Sequence, residues 1–457
     1  MTNAETRRPY RDRLRRLAQR TRMLARNRLT RALTGTVLGG IGIQLALVVT
    51  GVIMARALGP TDRGHLALLT LVAAIAWTLG QVGLPYALAY FTARNPPAAT
   101  ELLGEVRRPY VRRLWLTVAA TVIALFFLTQ GRPDYVREGS LAVICALPAA
   151  FAHQAALATL QGLREFRSFN LLRLLPSGVF AIWATVLFIL DAADFTELVL
   201  AWALSMIIAG PITLTVARRK AASISRGSDS DPLPPIKRIL SFGRRSLLGG
   251  ASPVESYRLD QSAVALFLAP ASLGLYVAAL AFTNLPRFFG RSIGLVANPY
   301  VASQRSRAAA LRMMWRFVGL GIVTVTPVIL ALWAIAPTLV PFFFGDEFDG
   351  SIPVVRILLL GALFYSFRRV LSDGARGAGL PVAGSVAEVI AVGTALGLFA
   401  ILIPVAGLEG AAYALAGSSF AAFAALLVLV TIETRRGGPA APSSARPEEP
   451  EVFESSP

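Results

Sequence analysis

The sequence predicts an all-α polytopic membrane protein with about 12 transmembrane helices, in two six-helix lobes related by a pseudo-two-fold axis along the membrane normal. The composition excludes a soluble protein with an ordinary polar surface, because 55% of the 457 residues are hydrophobic and only 16% are charged. The mean hydropathy of +0.59 agrees with this. Apolar runs of about 20 residues have the length that crosses the bilayer core as a helix. A motif repeated 210 residues apart divides the chain into two similar halves.

Twelve apolar segments are long enough to span the bilayer. The first is followed by Ala55-Arg56-Ala57, which fits a signal-peptidase site, but its apolar run of about 23 residues is too long for a signal peptide. We therefore predict an uncleaved span. The predicted spans are residues 32–55, 65–90, 110–129, 139–161, 169–190, 195–217, 245–268, 274–297, 314–336, 351–370, 381–403 and 408–432.

The net charge of +19 is distributed unevenly along these segments. Of the 45 Lys and Arg residues, 37 fall in the two tails, in the even-numbered loops or at the span ends next to those loops, whereas the odd-numbered loops and the span ends next to them hold four Arg and ten acidic residues. By the positive-inside rule, both termini and the even-numbered loops face the cytoplasm. Orientation and attraction to anionic lipid account for the positive charge, so we predict no nucleic-acid partner.

The chain is expected to divide into five regions. Residues 218–243 combine basic, Ser-rich and Pro-rich stretches midway between spans six and seven, a composition typical of a linker. Apolar pairs alternate with cations over residues 236–240, which indicates a short interfacial helix. The predicted regions are a basic cytoplasmic tail (1–31), an N-terminal six-helix lobe (32–217), a cytoplasmic linker (218–243), a C-terminal six-helix lobe (244–432) and a disordered cytoplasmic tail (433–457).

An internal repeat supports two lobes of six spans each. The sequence LGPTDRGH at 58–65 aligns without gaps to LAPASLGL at 268–275, at an offset of 210. A weaker match places Gly162 and Arg164 on Gly374 and Arg376, at an offset of 212. Because six is an even number of spans, both copies enter the membrane from the same side, as in parallel-repeat transporters. Pro and Gly also simply punctuate turns, so the repeat alone does not establish transport.

The sequence contains no pattern that indicates a cofactor, a metal site or enzymatic catalysis. One cysteine, Cys145, excludes a multi-cysteine site, and two histidines, His65 and His153, provide few other metal ligands. No phosphate-binding loop and no Ser/His/Asp grouping is present. We therefore predict no cofactor and no enzyme activity.

Several motifs taken in order resemble a known family. They are LGP at 58–60, YRLD at 257–260, LGLY at 273–276, PTLVPFFFG at 337–345, GAGLP at 377–381 and GLEGAA at 407–412. Together they resemble the polysaccharide biosynthesis (O-antigen-like) oligosaccharide flippases of the multidrug/oligosaccharidyl-lipid/polysaccharide exporter superfamily. The resemblance covers about residues 30–432. It implies two lobes around a central cationic cavity, a lipid-linked oligosaccharide as substrate, and the cytoplasmic (inner) membrane of a bacterium as location.

Charged residues inside spans are costly in lipid and are therefore candidates for function. Arg287 and Arg291 are spaced i,i+4 in span eight, and Arg258 lies near the middle of span seven. Guanidinium groups suit a diphosphate, so we expect these three arginines to bind the anionic head of a lipid-linked sugar. The alternative is that Arg258 is neutralised by a neighbouring acid and Arg291 extends to the headgroups.

Other polar residues in the spans are candidates for sugar binding or ion coupling. His153 and Gln154 in span four either line the sugar cavity or form interhelical hydrogen bonds. Asp260, Glu255 and Glu388 are candidates for ion coupling, because a carboxylate in a low-dielectric setting can take up a proton near neutral pH. For Glu388 a helix-packing contact is the alternative, and Glu255 has the i,i+3 spacing to pair with Arg258.

The resulting hypothesis is a flippase that moves an undecaprenyl-diphosphate-linked oligosaccharide from the cytoplasmic to the outer leaflet by alternating access. Its expected partners are this lipid, membrane lipids, and the glycosyltransferases and polymerase of the same pathway. An ion-coupled drug/cation antiporter of the same superfamily would favour buried carboxylates over arginine. A membrane polymerase or ligase would need a large outward loop, and every odd-numbered loop is short. A scaffold without transport activity is the last alternative.

Overall fold

The protein is an all-helical bundle. The computed structural model describes residues 8–225, 232–250, 254, 257–304 and 306–435. Two short 3-10 helices, Pro96–Ala98 and Asp346–Ser351, connect longer elements. The α-helices are α1 (Arg8–Gly80), α2 (Leu84–Arg94), α3 (Ala99–Leu128), α4 (Asp134–Gly162), α5 (Phe166–Ile189), α6 (Phe195–Ser225), α7 (Ile236–Gly250), α8 (Leu259–Phe267), α9 (Pro270–Ala302), α10 (Arg307–Phe344), α11 (Ile352–Gly377) and α12 (Pro381–Arg435).

Two of these helices each contain a pair of predicted spans joined at a kink. Helix α1 breaks at Gly59, whose φ of 63° is open to glycine but strained for other residues, and Pro60 then starts the next helical stretch. Helix α12 breaks in the same way at Gly407, with a φ of 53°. Residues 8–31, predicted as a tail, continue the first span as helix. The kinks therefore take the place of the first and eleventh loops.

The described residues include eight stretches that are long and apolar enough to cross a membrane, and two of them, Gly39–Gly80 and Val382–Thr434, contain the two kinked pairs. Helix α9 is not among the eight, although its 33 residues extend for about 50 Å. It contains Arg287, Arg291, Asn284 and Asn298, which lower its hydropathy. Each of the predicted spans three to six and eight to ten corresponds to one helix. Spans one and two lie in α1, and spans eleven and twelve lie in α12. A turn before α2 interrupts span two.

Span seven does not form the single helix predicted over residues 245–268. Helix α7 ends at Gly250, Tyr257 and Arg258 form a turn, and α8 begins at Leu259. The sequence between the helices carries Pro253 after two glycines, and these residues disfavour a continuous helix. Glu255 and its pairing with Arg258 lie outside the described residues.

The linker contains more helix than its composition indicated. Helix α6 continues through Ser225, because the Ala-rich stretch after Arg218 and Arg219 favours helix. Helix α7 is the amphipathic helix expected near residues 236–240, and it packs on α2, where Phe242 stacks on Tyr90. Most of the Ser-rich stretch between α6 and α7, and the tail after Arg435, fall outside the described residues.

The odd-numbered connections meet at one end of the bundle, which we call the odd-loop end. Tyr135 donates a hydrogen bond to Asp62, and His65 packs edge-on against Phe195, so that the first, third and fifth connections are in contact. The opposite end, called the even-loop end, brings the other connections together. There the Ser225 hydroxyl bonds the Pro97 carbonyl, and Arg307 bonds the Glu433 carbonyl.

The two copies of the repeated motif pack directly against each other at the odd-loop end. A Cβ at Gly64 would overlap the carbonyl oxygen of Pro270, and a Cβ at Gly274 would overlap the carbonyl oxygen of Pro60. Each glycine therefore permits the backbone of the other copy to approach closely. A reciprocal contact of this kind is what a two-fold axis between the copies produces.

The weaker repeat pairs different residues from those that the sequence comparison aligned. Gly162 ends α4, and a Cβ there would lie 2.7 Å from the Ala89 carbonyl oxygen of α2. In the second half, Gly377 ends α11 and approaches the Asn298 carbonyl oxygen of α9 in the same manner. Gly374, which had been aligned with Gly162, packs on Met314 instead. The structural counterpart of Gly162 is therefore Gly377, three residues further along.

Candidate functional site

Polar residues of the second half gather around a small buried cavity. Helix α8 begins after Arg258, whose φ of 45° is left-handed and unusual for a residue with a side chain. This turn places Asp260 in the first turn of α8, where it is only 6% exposed. The buried Tyr276 of α9 donates its hydroxyl hydrogen bond to Asp260 over 3.2 Å. The buried Asp260 carboxylate thus has polar partners, namely the Tyr276 hydroxyl, the Gln261 backbone N–H and the nearby guanidinium groups of Arg287 and Arg258.

The cavity beside Asp260 measures about 40 Å³. One water occupies about 10–15 Å³ of such a cavity, so the space holds a few waters or an ion. It is too small for a sugar or a diphosphate. All of its lining comes from the second half of the chain: Val254, Asp260, Arg287, Tyr365, Arg368, Ala391, Leu415, Ser418 and Ser419.

Three guanidinium groups surround the ring of Tyr365 on α11. Those of Arg287, Arg291 and Arg368 lie 5.2, 5.7 and 5.5 Å from the ring centroid. Arg291 Nε also donates to the Tyr365 hydroxyl oxygen over 3.1 Å. An aromatic face attracts a cation more strongly when water is excluded. Tyr365 therefore holds together three like charges that would otherwise repel each other.

Arg368 also forms an ion pair with Glu388 of α12, with 2.6 Å between Nη1 and Oε1. The Arg368 side chain is 8% exposed and that of Glu388 is 27% exposed. Arg368 Nε and Glu388 Oε2 have no hydrogen-bond partner in the protein, and neither has Arg287 Nε. The cluster thus retains polar atoms that a bound ion, water or ligand can satisfy.

We refer to Arg258, Asp260, Arg287, Arg291, Arg368 and Glu388 as the arginine cluster. Among the described residues it contains four guanidinium groups and two carboxylates, so positive charge exceeds negative charge by two. Arg258 itself is exposed, and its Nη1 lies 3.5 Å from the Gln261 side-chain oxygen. A positive excess within the spans favours an anionic ligand.

The structure does not place all of the predicted site residues together. His153 is buried between helices, and its Nδ1 lies 3.0 Å from the Thr213 hydroxyl of α6. Gln154, next to it on α4, is half-buried. Neither residue lines the cavity at Asp260. His153 thus forms the interhelical hydrogen bond that was its alternative role.

Two arginines of structural importance escaped the sequence analysis. Arg368 lies at the end of predicted span ten and was counted there with the positive charge of the cytoplasmic side, but α11 continues to Gly377 and Arg368 is buried within it. Arg63 was counted with the first loop, but it is only 3% exposed. For Arg368 the sequence did contain a signal, because Tyr365 is spaced i,i+3 from it and Glu388 lies in the next span. No comparable signal marked Arg63.

Arg63 joins the two halves at the odd-loop end. Its Nη1 donates to the Gly51 carbonyl over 2.6 Å, and its guanidinium lies 5.0 and 5.5 Å from the ring centroids of Phe344 and Phe348 in the second half. Arg56 adds hydrogen bonds to the carbonyl oxygens of Phe342 and Phe343. Together with the glycine contact between the repeats, these interactions close the odd-loop end.

The described part of the chain contains no group of three or more His, Cys, Asp or Glu side chains that could hold a metal ion. The carboxylates of the arginine cluster contact a hydroxyl and a guanidinium group, since Asp260 accepts from Tyr276 and Glu388 pairs with Arg368.

Solved structures with a similar fold are membrane transporters. The inward-facing conformation of a multidrug resistance MATE family transporter of the MOP superfamily aligns with a TM-score of 0.65 at 16% identity, over 86% of this chain and 95% of that one. The inward closed conformation of the lipid II flippase MurJ gives a TM-score of 0.63 at 12% identity, over 87% of this chain and 88% of that one. At these identities the likeness shows the fold, which is the multi-pass bundle that the spans indicated.

Comparisons of sequence give a more specific result. No curated protein sequence matches the chain. A family model described as "Polysaccharide biosynthesis protein" matches residues 53–353, which include the repeated motifs, the kink of α1 and most of the arginine cluster. The chain therefore belongs to the polysaccharide biosynthesis protein family, within the fold of the MOP superfamily transporters.

Proposed function

We propose that the protein is a flippase for an undecaprenyl-diphosphate-linked oligosaccharide, moving it from the cytoplasmic to the outer leaflet of a bacterial inner membrane. The observation that carries this proposal is the positive excess of the arginine cluster inside the membrane-spanning helices. A diphosphate offers several negatively charged oxygen atoms to guanidinium donors, whereas a neutral sugar offers only uncharged hydroxyl groups. The oligosaccharide would be made by glycosyltransferases on one side and used by a polymerase on the other.

The small size of the cavity supports an alternating-access mechanism. The 40 Å³ space at Asp260 is too small for the proposed head group, so a binding site of adequate size requires the halves to separate. The contacts of Arg63, Arg56 and the paired glycines hold the halves together at the odd-loop end. We infer that the head group enters from the even-loop end and leaves once these contacts open.

The direct test is flipping in proteoliposomes with a fluorescent undecaprenyl-diphosphate glycan. We expect Arg287→Ala to reduce the rate at least about tenfold, since a charged hydrogen bond contributes about 1.5–3 kcal/mol. Arg356→Ala is the matched control, because Arg356 also faces an aromatic ring, that of Trp333 at 4.6 Å, but lies outside the arginine cluster. Equal rates for the two variants, at equal reconstitution, would contradict the role of the cluster.

Ion coupling is a further part of the proposal. Asp260 is buried beside a space large enough for an ion, and Glu388 has an unpaired carboxylate oxygen. We propose Asp260 as the coupling residue, with Glu388 constrained by Arg368. Flipping driven by an imposed proton or sodium gradient, and lost in Asp260→Asn, would support this role, and gradient-independent flipping would contradict it.

An ion-coupled drug/cation antiporter is the second candidate function, and the burial of Asp260 is the observation that favours it. The two extra positive charges of the arginine cluster oppose it, because they repel a cationic drug. The same proteoliposomes separate the two functions. Uptake of a cationic dye without transfer of the glycan would favour the antiporter.

A further inference from the structure

A second and much larger cavity, with no residue of the arginine cluster in its lining, lies along the seam between the two halves. It measures about 570 Å³ and is walled by the second stretch of α1, by α3 and by α8. We call it the seam groove. Three of its apolar side chains, Leu79, Leu116 and Leu266, are 49%, 64% and 63% exposed, so they form a rim that faces the lipid. The lining residues used below are Leu68, Val82, Arg113, Ala120, Leu128 and Ser262.

The seam groove runs lengthwise through the bilayer. On α3 its lining extends from Arg113 to Leu128, and along α1 from Leu68 to Gly80 and on to Val82 in the turn after it. Fifteen residues of helix are about 22 Å long. One leaflet contributes about 15 Å of hydrocarbon, half of the whole core. The groove is therefore longer than the chain region of one leaflet.

The walls of the seam groove are chemically apolar even where they contain hydroxyl groups. Thr117 donates to the Arg113 carbonyl over 2.8 Å, and Thr121 donates to the Thr117 carbonyl over 2.7 Å. Ser262 likewise donates to the Arg258 carbonyl over 3.0 Å. Because these hydroxyls are satisfied within their own helices, they offer little to a sugar. A hydrocarbon chain is the ligand that such walls suit.

The even-loop end of the groove is positively charged. Arg113 is the only charged residue in its lining, and Nη1 donates to the Gln81 carbonyl over 3.1 Å. Arg112 and Arg244 lie close enough to interact with it electrostatically, and both are exposed. Gly243 of α7 packs against the Gly83 carbonyl, which positions Arg244 there. Four donors of the Arg113 guanidinium remain for a phosphate at headgroup level.

We propose that the seam groove binds a polyprenyl phosphate, with the isoprenoid chain along α1, α3 and α8 and the phosphate at Arg113 and Arg244. Because the seam groove is longer than the hydrocarbon region of one leaflet, it suits this long-chain lipid better than an ordinary phospholipid. The inference rests on the proposed function, because it identifies where the lipid tail of the substrate lies. Since the groove is walled by both halves, a lipid held there has its head group next to the seam through which the halves would separate.

The test is photocrosslinking of undecaprenyl monophosphate carrying a diazirine in its chain, with the whole protein in nanodiscs. This probe lacks a sugar, so labelling does not depend on flipping. Ala120→Trp fills the groove, and Val122→Trp is its control, because Val122 is an exposed residue of the same helix outside the groove. Arg113→Ala is paired with Arg107→Ala, because Arg107 is an exposed arginine of the same helix outside the lining. We expect Ala120→Trp and Arg113→Ala to reduce labelling about tenfold relative to their controls.

Two results would overturn the proposal. One is equal labelling of Ala120→Trp and Val122→Trp, and Ala124→Phe repeats this comparison if the tryptophan variant is not monodisperse. The other is displacement of the probe by an equimolar amount of phosphatidylglycerol, which would identify an ordinary phospholipid site. Failure of the proposed function is distinguishable, because wild-type protein would then label normally at the groove and flip no glycan.

Discussion

The side chain with most consequence for the arginine cluster is Tyr365, an uncharged residue. Its ring is within 5.7 Å of three guanidinium groups that come from two helices. Arg287 and Arg291 were predictable as site candidates, because a charge inside an apolar span is visible in the sequence. Tyr365 was not, because an aromatic residue in a span is ordinary until its neighbours are known. The sequence thus identifies the charged residues inside the spans, whereas their contact partners are identified only by the tertiary structure.

We predict different effects for two substitutions of Tyr365. Tyr365→Phe keeps the ring and loses the hydroxyl that accepts from Arg291, so flipping should fall by no more than about fivefold. Tyr365→Leu removes the ring, and since each buried cation–π contact is worth up to about 2 kcal/mol, flipping should fall more than tenfold. Initial rates in proteoliposomes measure both effects. A leucine variant as active as the phenylalanine variant would show that the ring does not organise the arginines.

The pair formed by Arg368 and Glu388 leads to a prediction about stability. Removing one partner leaves an uncompensated buried charge, so Arg368→Met or Glu388→Met should each lower the free energy of unfolding by about 2–4 kcal/mol. The double variant should recover most of that loss, because no unpaired charge remains. Thermal unfolding in detergent tests the cycle. Additive losses in the double variant would show that the two residues are not energetically coupled.

At the scale of elements, hydropathy predicted nearly all the helices but not their ends or their breaks. Helices α6 and α11 extend past their predicted ends, because polar residues at the even-loop end continue a helix that lipid no longer requires to be apolar. Span seven, in contrast, breaks at Arg258, inside the segment that was predicted to form one continuous helix. A backbone turn inside a membrane is tolerated where it is buried in protein or lines a cavity. That condition depends on neighbouring helices and cannot be read from one segment.

The contact between α1 and α9 gives a prediction for the paired glycines. Gly64→Ala and Gly274→Ala each insert a Cβ against a carbonyl oxygen of the other copy, so each should destabilise the protein by about 1–3 kcal/mol. Combining them should cost less than the sum, because the first substitution already separates the helices. Thermal unfolding with Gly104→Ala as control tests this. Gly104 has open space at its Cβ position and should tolerate alanine, so equal losses at all three positions would contradict the argument.

At the scale of the whole molecule, the distribution of charge predicts that the termini and the even-loop end lie in the cytoplasm. We expect a membrane-impermeant maleimide to label Gln130→Cys, in the third connection, on intact cells, and to label Ser303→Cys only in inverted vesicles. Both substitutions are made in a Cys145→Ser background, because Cys145 is exposed on the bundle surface. Labelling of Ser303→Cys on intact cells would reverse the orientation, and with it the expected direction of flipping.

The reciprocal glycine contact also has a meaning for the origin of the bundle. Since Gly64 meets Pro270 while Gly274 meets Pro60, a six-helix ancestor with one glycine and one proline would make both contacts by pairing with a second copy of itself in parallel orientation. In such a homodimer a single mutation at the glycine would alter both contacts at once. Fusion of two such copies would free the surfaces around the motif to diverge, so that the arginine cluster needs to be present in one half only. The contact at the odd-loop end is the contact that such a dimer and the present chain would have in common.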